Sequence, residues 1–245
     1  MPAESPEIPA PPWRRSRPAG AAKRPLSQDM IIDAALVVLD REGLDAVSMR
    51  RVAEELGTGA ASLYAHVANK DELLELAYDR ILGEIRLPAE PDPDRWQEQI
   101  REIARESYRV LGAHGDIARV SLANVPTGPN ALRVSEAMLG VLITGGVPPQ
   151  LAAWAVDRIA LYLSADAYEG ALYQARQRAM GASPEQFIAE YFGQLHGYLA
   201  SLPPERFPFL SKHVDALVQG DGDQRFEFGL DMLIGGLVRL VPQRD

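Results

Sequence analysis

Arg50, Ser62, Tyr64 and Lys70 fall within one stretch, VSMRRVAEELGTGAASLYAHVANK, running from Val47 to Lys70. Their chemistry is that of DNA recognition: a guanidinium fork suits guanine O6 and N7, while hydroxyls and an ammonium suit phosphates. The spacing of the apolar residues supports this. Ser48 is a candidate N-cap, after which Met49, Val52, Ala53 and Leu56 recur at helical intervals on one face. Gly57 stands where that helix must end in a left-handed conformation. A second short helix starts at Ala60 or Ala61, with Leu63 and Val67 turned inward and Ser62, Tyr64 and His66 on other faces. Asn69 with Glu72 then forms a candidate capping box for a further helix, with Lys70 in its first turn. Two short helices crossed at a glycine turn can lay the second in the major groove. The same pattern also describes an αα-hairpin that touches no nucleic acid.

Periodicity and punctuation outline the elements around this unit. A helix is expected from Gln28 to Glu42, capped by Ser27, buried through Ile31, Ala34, Ala35 and Val38, and stopped by Gly43. Another is expected from Lys70 to Ile85, with Leu73, Leu74, Ala77, Ile81 and Leu82 on one side. LPAEPDPD, residues 87–94, marks a break. Beyond it the pattern predicts helices near Arg95 to Leu111, Asp116 to Ala123, Asn130 to Thr144, Pro148 to Met180, Pro184 to Leu202 and Asp223 to Leu240. No strand alternation is found, so the fold class is all-α. The chain divides into a basic arm (1–26), a helix-turn-helix DNA-binding domain (27–87) and a larger helical ligand-binding and dimerisation domain (94–245).

Composition sets outer bounds. With 245 residues, 47% of them apolar, the chain can bury one large core or two modest ones. It has no Cys, which removes disulfides, thiolate metal sites and Cys nucleophiles and fits a reducing cytoplasm. The sequence offers no signal peptide and no membrane span, so a cytoplasmic protein with no membrane partner is expected. The net charge of −9 argues against nonspecific coating of nucleic acid. Its distribution is uneven. Arg14, Arg15, Arg17, Lys23 and Arg24 stand against only Glu4 and Glu7 in the first 26 residues, while the remaining 219 carry a net charge of −12. That Pro-rich arm reads either as a minor-groove tracker or as a solubilising leader.

The stretches AALVVLDREGLDAVSMRRVAEELG and SLYAHVANKDELL resemble the DNA-binding domain of the tetracycline-repressor (TetR) family of bacterial transcriptional regulators, over Ser27 to about Leu87. AHGDIARV (Ala113 to Val120) and FEFGLDMLIGGL (Phe226 to Leu237) are similar to the regulatory domain of the same family. The resemblance implies a repressor that binds a double-stranded, pseudo-palindromic operator as a homodimer and leaves it when a small-molecule effector binds. It matches Arg50 to a base-contacting arginine, for which a phosphate contact is the alternative, and Ser62, Tyr64 and Lys70 to phosphate-holding positions. Gly59, Ala60 and Ala61 replace longer side chains, which leaves Ala60 and Ala61 for thymine methyls. Ser48, Thr58 and His66 complete the DNA-facing set, His66 having packing as its other reading.

For the effector, the resemblance directs attention to the central helices of the second domain. Candidate lining residues are Ser107, Leu111, Ser121, Met138, Leu142, Trp154, Asp157 and Tyr162, each of which also reads as core. The tetracycline repressor coordinates drug-bound magnesium through a His at the position of Ser121, so that metal chemistry is not expected here, nor is any cofactor. An aromatic or polycyclic ligand, uncharged or weakly cationic, is the expectation. For the dimer, Phe226, Leu230, Leu233, Leu237 and Leu240 form a heptad seam, with Gly229, Gly235 and Gly236 allowing close approach. Packing inside a monomer is the other reading of that seam.

Two rival functions remain. An all-α enzyme would have to work with four His (His66, His114, His196, His213) and carboxylates, yet GxSxG, HExxH and a phosphate-binding glycine loop are all missing. Asp166 and Glu169 form the best acid/base pair, with surface or ligand-contact roles as the alternative. An effector-independent DNA-binding regulator has the same sequence signature as a ligand-responsive one.

Overall fold

A computed structural model describes residues 25–123 and 127–241, and among them the chain forms twelve α-helices and one 3-10 turn, without a strand. The basic arm, apart from Pro25 and Leu26, lies outside the described residues. Helix α1, Gln28–Glu42, begins where Ser27 Oγ accepts the N–H of Met30 at 3.3 Å, and ends at Gly43 with φ +87°. After a 3-10 turn at Leu44–Ala46 come α2, Met49–Glu55, and α3, Ala60–Leu63. Helix α4, Lys70–Leu82, leads away from this unit. The remainder consists of α5 (Trp96–Ala113), α6 (Ala118–Ala123), α7 (Pro129–Thr144), α8 (Pro149–Met180), α9 (Pro184–Ala200), α10 (Pro208–Lys212), α11 (Val214–Val218) and α12 (Gly222–Val238).

Three differences from the expected outline have local causes. Helix α4 stops at Leu82, short of Ile85, because the Arg133 guanidinium on α7 takes the carbonyls of Leu82 and Ile85 at 3.0 and 3.1 Å. Helix α12 starts one residue early, since Asp221 and Gln224 form a reciprocal capping box around Gly222. The five-residue helices α10 and α11 are too short to leave a periodic signature.

Two apolar clusters organise the molecule. The first gathers Ile31, Val38, Leu39, Val52, Leu63, Leu73 and Ile81 of the N-terminal helices and continues into Val110, Leu111, Ile117, Ala131 and Ala167. The second joins Ile100 and Ile103 of α5, Met138 and Leu142 of α7, Ile159 and Leu163 of α8, and Phe226, Leu230 and Ile234 of α12. Packing therefore runs past the break at residues 87–94: the inner end of the N-terminal unit shares a core with α5, α6 and α8. Burial of this extent is the main source of stability.

Candidate nucleic-acid interface and ligand cavity

The N-terminal unit separates its residues cleanly into buried and displayed sets. Ser48 Oγ accepts the N–H of Arg51 at 3.1 Å and starts α2, whose Met49, Val52 and Ala53 are buried. A left-handed closure ends it: with Gly57 at φ +61°, its N–H reaches the Glu54 carbonyl at 3.1 Å and the Thr58 N–H reaches the Ala53 carbonyl at 2.9 Å. That is the paired bonding of a Schellman motif. On α3 and the turn after it, Leu63 and Val67 are buried, as their spacing required. Gly59, Ala61, Ser62 and Tyr64 are exposed, and Ser48, Thr58, Ala60, His66 and Lys70 are half-buried. The His66 carbonyl accepts a bond from Gln28 Nε2 at 3.1 Å, which ties the end of this unit to the start of α1. Asn69 Oδ1 caps α4 through the N–H of Glu72 at 2.9 Å, whereas the Glu72 carboxylate takes the N–H of Ala68 and not that of Asn69.

Two adjacent arginines on α2 are placed differently. Arg50 is 88% exposed and pairs only with Glu54, four residues on, at 3.1 Å, a weak surface contact that costs little to break. Arg51 lies in a lattice with Glu42 and Glu55, joined by Arg41 from α1. Arg51 first, then Arg41, hold the Glu42 carboxyl down at about 2. Arg51 thus fastens α2 to α1. The sequence signal for this was present, in Glu42 and in Glu55 four residues after Arg51, but it is shared by any charged helix surface.

Helix α4 is clasped to the rest of the molecule at both ends of its contact with α7. Asp79 Oδ1 accepts the N–H groups of Asn130 and Ala131 at 3.0 and 2.9 Å, capping α7, while Arg133 of α7 caps the end of α4. A side chain at Gly128 would collide with Asp79, so glycine is required there. Nearby, Ser121 Oγ lies 2.7 Å from Ser164 Oγ and 2.8 Å from the Ala118 carbonyl. The Tyr78 phenol of α4 meets both serines; burial raises its pKa, and the two hydroxyls partly offset that. Asp116 accepts the N–H of Leu44 at 2.9 Å, and Arg119 pairs with Asp45. Polar contacts therefore join α4 and the 3-10 turn to α6, α7 and α8.

The eight residues expected around an effector are dispersed. Ser107, Leu111, Met138 and Leu142 are buried in packed cores, Ser107 bonding to the Ile103 carbonyl at 2.7 Å. Ser121 borders a small space of about 240 Å³ between α4 and α6. Trp154 is 60% exposed, and Asp157 is exposed beside Arg158. Only Tyr162 of the eight lines a cavity of about 860 Å³ that is bordered by α8, α9, α5 and the start of α12. Its walls are Tyr108, Tyr173, Phe187 and Phe192. Asp166 and Glu169, the carboxylate pair three apart on α8, also face it. Sequence reading missed the aromatic walls because they come from three helices separated by up to 84 residues, from Tyr108 to Phe192.

The electrostatics of this cavity are negative. Desolvation raises the pKa of Tyr108, and the carboxylates Asp223, Asp166, Glu169 and Asp221 push it further. Tyr162 is raised by burial and then by Asp166, while its hydroxyl donates to the Phe226 carbonyl at 2.8 Å. Burial likewise raises Asp166 itself. Tyr162 is seated against Gly229, where a Cβ would come within 2.4 Å of the phenol oxygen.

On α12 the seam divides. Phe226 and Leu230 are buried inside the chain, Phe226 stacked on Tyr108 with centroids 4.1 Å apart, and Leu233 and Leu237 are partly buried against the same core. Leu240 lies exposed beyond the helix end. The opposite face carries Phe228 (66% exposed), Met232, Gly235 and Gly236. The outward side of α8 carries Trp154, Leu161 and Leu172. Each of the two helices thus has an exposed apolar side, and exposed apolar residues also occur elsewhere, Tyr198 and Phe209 among them. No described helix is long and apolar enough to cross a membrane, and no group of three or more His, Asp or Glu among the described residues is placed to hold a metal ion.

Known proteins share this arrangement. Residues 31–77 match the family "Bacterial regulatory proteins, tetR family", and residues 87–241 match "Tetracyclin repressor-like, C-terminal domain". The chain is 32% identical to the HTH-type transcriptional repressor DrrR1 of Streptomyces coeruleorubidus over 228 residues, covering 93% of this chain and 83% of that protein. The crystal structure of apo ActR from Streptomyces coelicolor is similar with a TM-score of 0.78 at 43% identity, covering 90% of this chain and all of ActR. The structure of ActR in complex with actinorhodin is similar at a TM-score of 0.79 and 43% identity, covering 90% of this chain and 99% of that one. With both the helix-turn-helix and the helical regulatory half matched, the chain belongs to the TetR family of bacterial transcriptional regulators.

Proposed function

We propose that this chain is a cytoplasmic repressor that binds a pseudo-palindromic operator as a homodimer and is released by a small aromatic effector held in the cavity beside α8. The observation that carries the DNA part is the split on α2 and α3: Arg50 and the surface from Gly59 to Tyr64 are displayed while Leu63 and Val67 fix the unit in the core. Arg50 reads a guanine, Ala60 and Ala61 meet thymine methyls, and Ser62, Tyr64 and Lys70 hold phosphates, with Ser48, Thr58 and His66 at the margin. The apolar outward faces of α8 and α12 support dimerisation, with Phe228 and Met232 in place of the inward Phe226 and Leu230. Its work is binding, not catalysis. Asp166 and Glu169 serve as cavity carboxylates.

Effector control requires that the ligand favour the DNA-incompetent state, by about 1 to 3 kcal/mol of coupling in typical cases. The clasp of Asp79 and Arg133 supports α4 as the element that carries this bias, because it ties α4 to α7 by hydrogen bonds at both ends of their contact. ActR bound to actinorhodin supports a small-molecule effector for the present chain, and the aromatic lining of the cavity supports an aromatic one. The test is selection of duplexes from a random DNA pool by the full-length protein at physiological salt. The expected result is a pseudo-palindrome with half-site centres one turn, roughly 34 to 36 Å, or a multiple apart. Folded, dimeric protein that enriches no sequence would overturn the reading. Loss of binding on adding polycyclic aromatics to the selected duplex separates a ligand-responsive regulator from an effector-independent one.

A further inference from the structure

We infer that the cavity between α8, α9 and α12 selects a flat aromatic cation, a polycycle carrying a protonated amine or ring nitrogen. This rests on the reading of the cavity as the effector site. Its volume of about 860 Å³ falls in the range of small-molecule sites and accommodates several fused rings. Tyr108, Tyr162, Tyr173, Phe187 and Phe192 supply ring faces, which bind both a π-system and a positive charge. Gly170 lies on the α8 wall in mid-helix, and a Cβ there would meet nothing within 4 Å. Close helix packing therefore does not explain this glycine. Its effect is to leave the cavity wider.

Charge decides among ligands of the same shape. Among the described lining residues, Asp166, Glu169 and Asp221 are acidic and Arg225 is the sole cation. Arg225 is itself engaged over the Phe192 ring, 5.6 Å from its centroid. A bound cation gives the partly desolvated Asp166 a counter-charge; an anion meets a net negative wall, and a neutral polycycle leaves Asp166 and Glu169 without one, Asp221 being engaged as the N-cap of α12. The Tyr108 phenol, pushed upward in pKa by burial and then by Asp223, Asp166, Glu169 and Asp221, lies in the same field; at Tyr173 burial and Glu169 act in the same direction, with Arg225 and Arg176 opposing them.

The experiment compares three tricyclic probes on the full-length protein without DNA, by fluorescence titration: 9-aminoacridine (cation), acridone (neutral) and 9-anthracenecarboxylate (anion). The cation is expected to bind at least tenfold tighter than either of the others. The double substitution Asp166→Asn with Glu169→Gln should weaken the cation at least tenfold and shift acridone less than threefold, and Gly170→Trp should abolish binding of both. Thermal melting checks that each variant folds, and the three-probe comparison on the unaltered chain decides the matter even if one does not. Acridone or the carboxylate binding as tightly as the cation, a cation affinity indifferent to the double substitution, or no binding of any probe would overturn the inference. Operator titration keeps the two readings apart. Selective DNA binding released by a neutral or anionic aromatic leaves the effector site standing and removes only the cation, whereas absence of selective DNA binding counts against the regulator itself.

Discussion

The DNA-facing end and the cavity end of this molecule are built in opposite ways. Between Ser48 and Asn69, both ends of α2 and the start of α4 are set by neighbours a few residues away: Ser48 caps α2, Gly57 closes it, and Asn69 caps α4. The cavity is instead assembled from α5, α8, α9 and α12, over a sequence span from Tyr108 to Gly229, and on α9 only Phe187 is buried. A surface that must present the same atoms to every duplex is held by short-range bonds on a shared core. The cavity proposed for the effector is lined by a helix with few buried anchors, a feature of the less stable parts of a fold.

The sharpest way to break this comparison is at α12, where inward and outward faces differ by two residues. Phe226→Ala removes a buried ring stacked on Tyr108 and is expected to cost about 3 to 5 kcal/mol in thermal or denaturant unfolding. Phe228→Ala should leave the unfolding of the protomer nearly unchanged and weaken the dimer, read by light scattering across a dilution series. Equal behaviour of the two would erase the assignment of faces.

At the DNA end, Arg50→Ala should cost about 1 to 3 kcal/mol per half-site and relax preference at one base pair, while Lys70→Ala weakens all sequences alike and lowers the salt slope by about one. Titrating selected and random duplexes with both variants checks it; parallel losses on both DNAs would remove the division between base reader and phosphate holder.

A smaller effect is expected at the clasp between the two ends. Asp79→Ala uncaps α7 and should cost about 1 to 2 kcal/mol, a fall of a few degrees in the melting temperature of a chain this size. If the clasp also carries the coupling, the same variant will bind operator with a reduced response to effector.

The smallest effect is in acid. Glu42 is held at about 2, below its ordinary 4.5, so its contribution is complete above pH 4.5 and is lost as pH falls toward 2. Glu42→Gln should flatten that part of the melting-temperature profile and leave neutral pH nearly unchanged. An identical acid profile for the two proteins would show that the arginine lattice contributes nothing to folding.

The same contrast explains what the sequence revealed. Helix α1, the α2–α3 turn and the start of α4 were legible because caps, glycines and apolar spacing act within four or five residues. The inward direction of Phe226 and Leu230 was not, because a heptad of apolar residues fits a partner helix and an internal one equally well, and only the packing on α5 and α8 distinguishes them. Of the effector candidates, Ser107 stands on α5, which borders the cavity, but turns into the core; Leu142 is buried on α7, which contributes nothing to the cavity wall, and Trp154 of α8 turns to the surface. Asp166 and Glu169, noted first as a carboxylate pair, sit in the cavity with rings that are distant in sequence. Side-chain composition identified the chemistry; tertiary packing decided which groups meet.

The most direct test of the central claim, that two copies present α2 and α3 to one duplex, is hydroxyl-radical footprinting of the selected operator combined with mass measurement of the complex. The expected result is two chains, or a multiple of two, per duplex, with paired protections on one face centred roughly 34 to 36 Å or a multiple apart, and with those protections lost for Arg50→Ala and kept for Gly170→Trp. One chain per duplex, or a continuous footprint unaffected by Arg50→Ala, would contradict it.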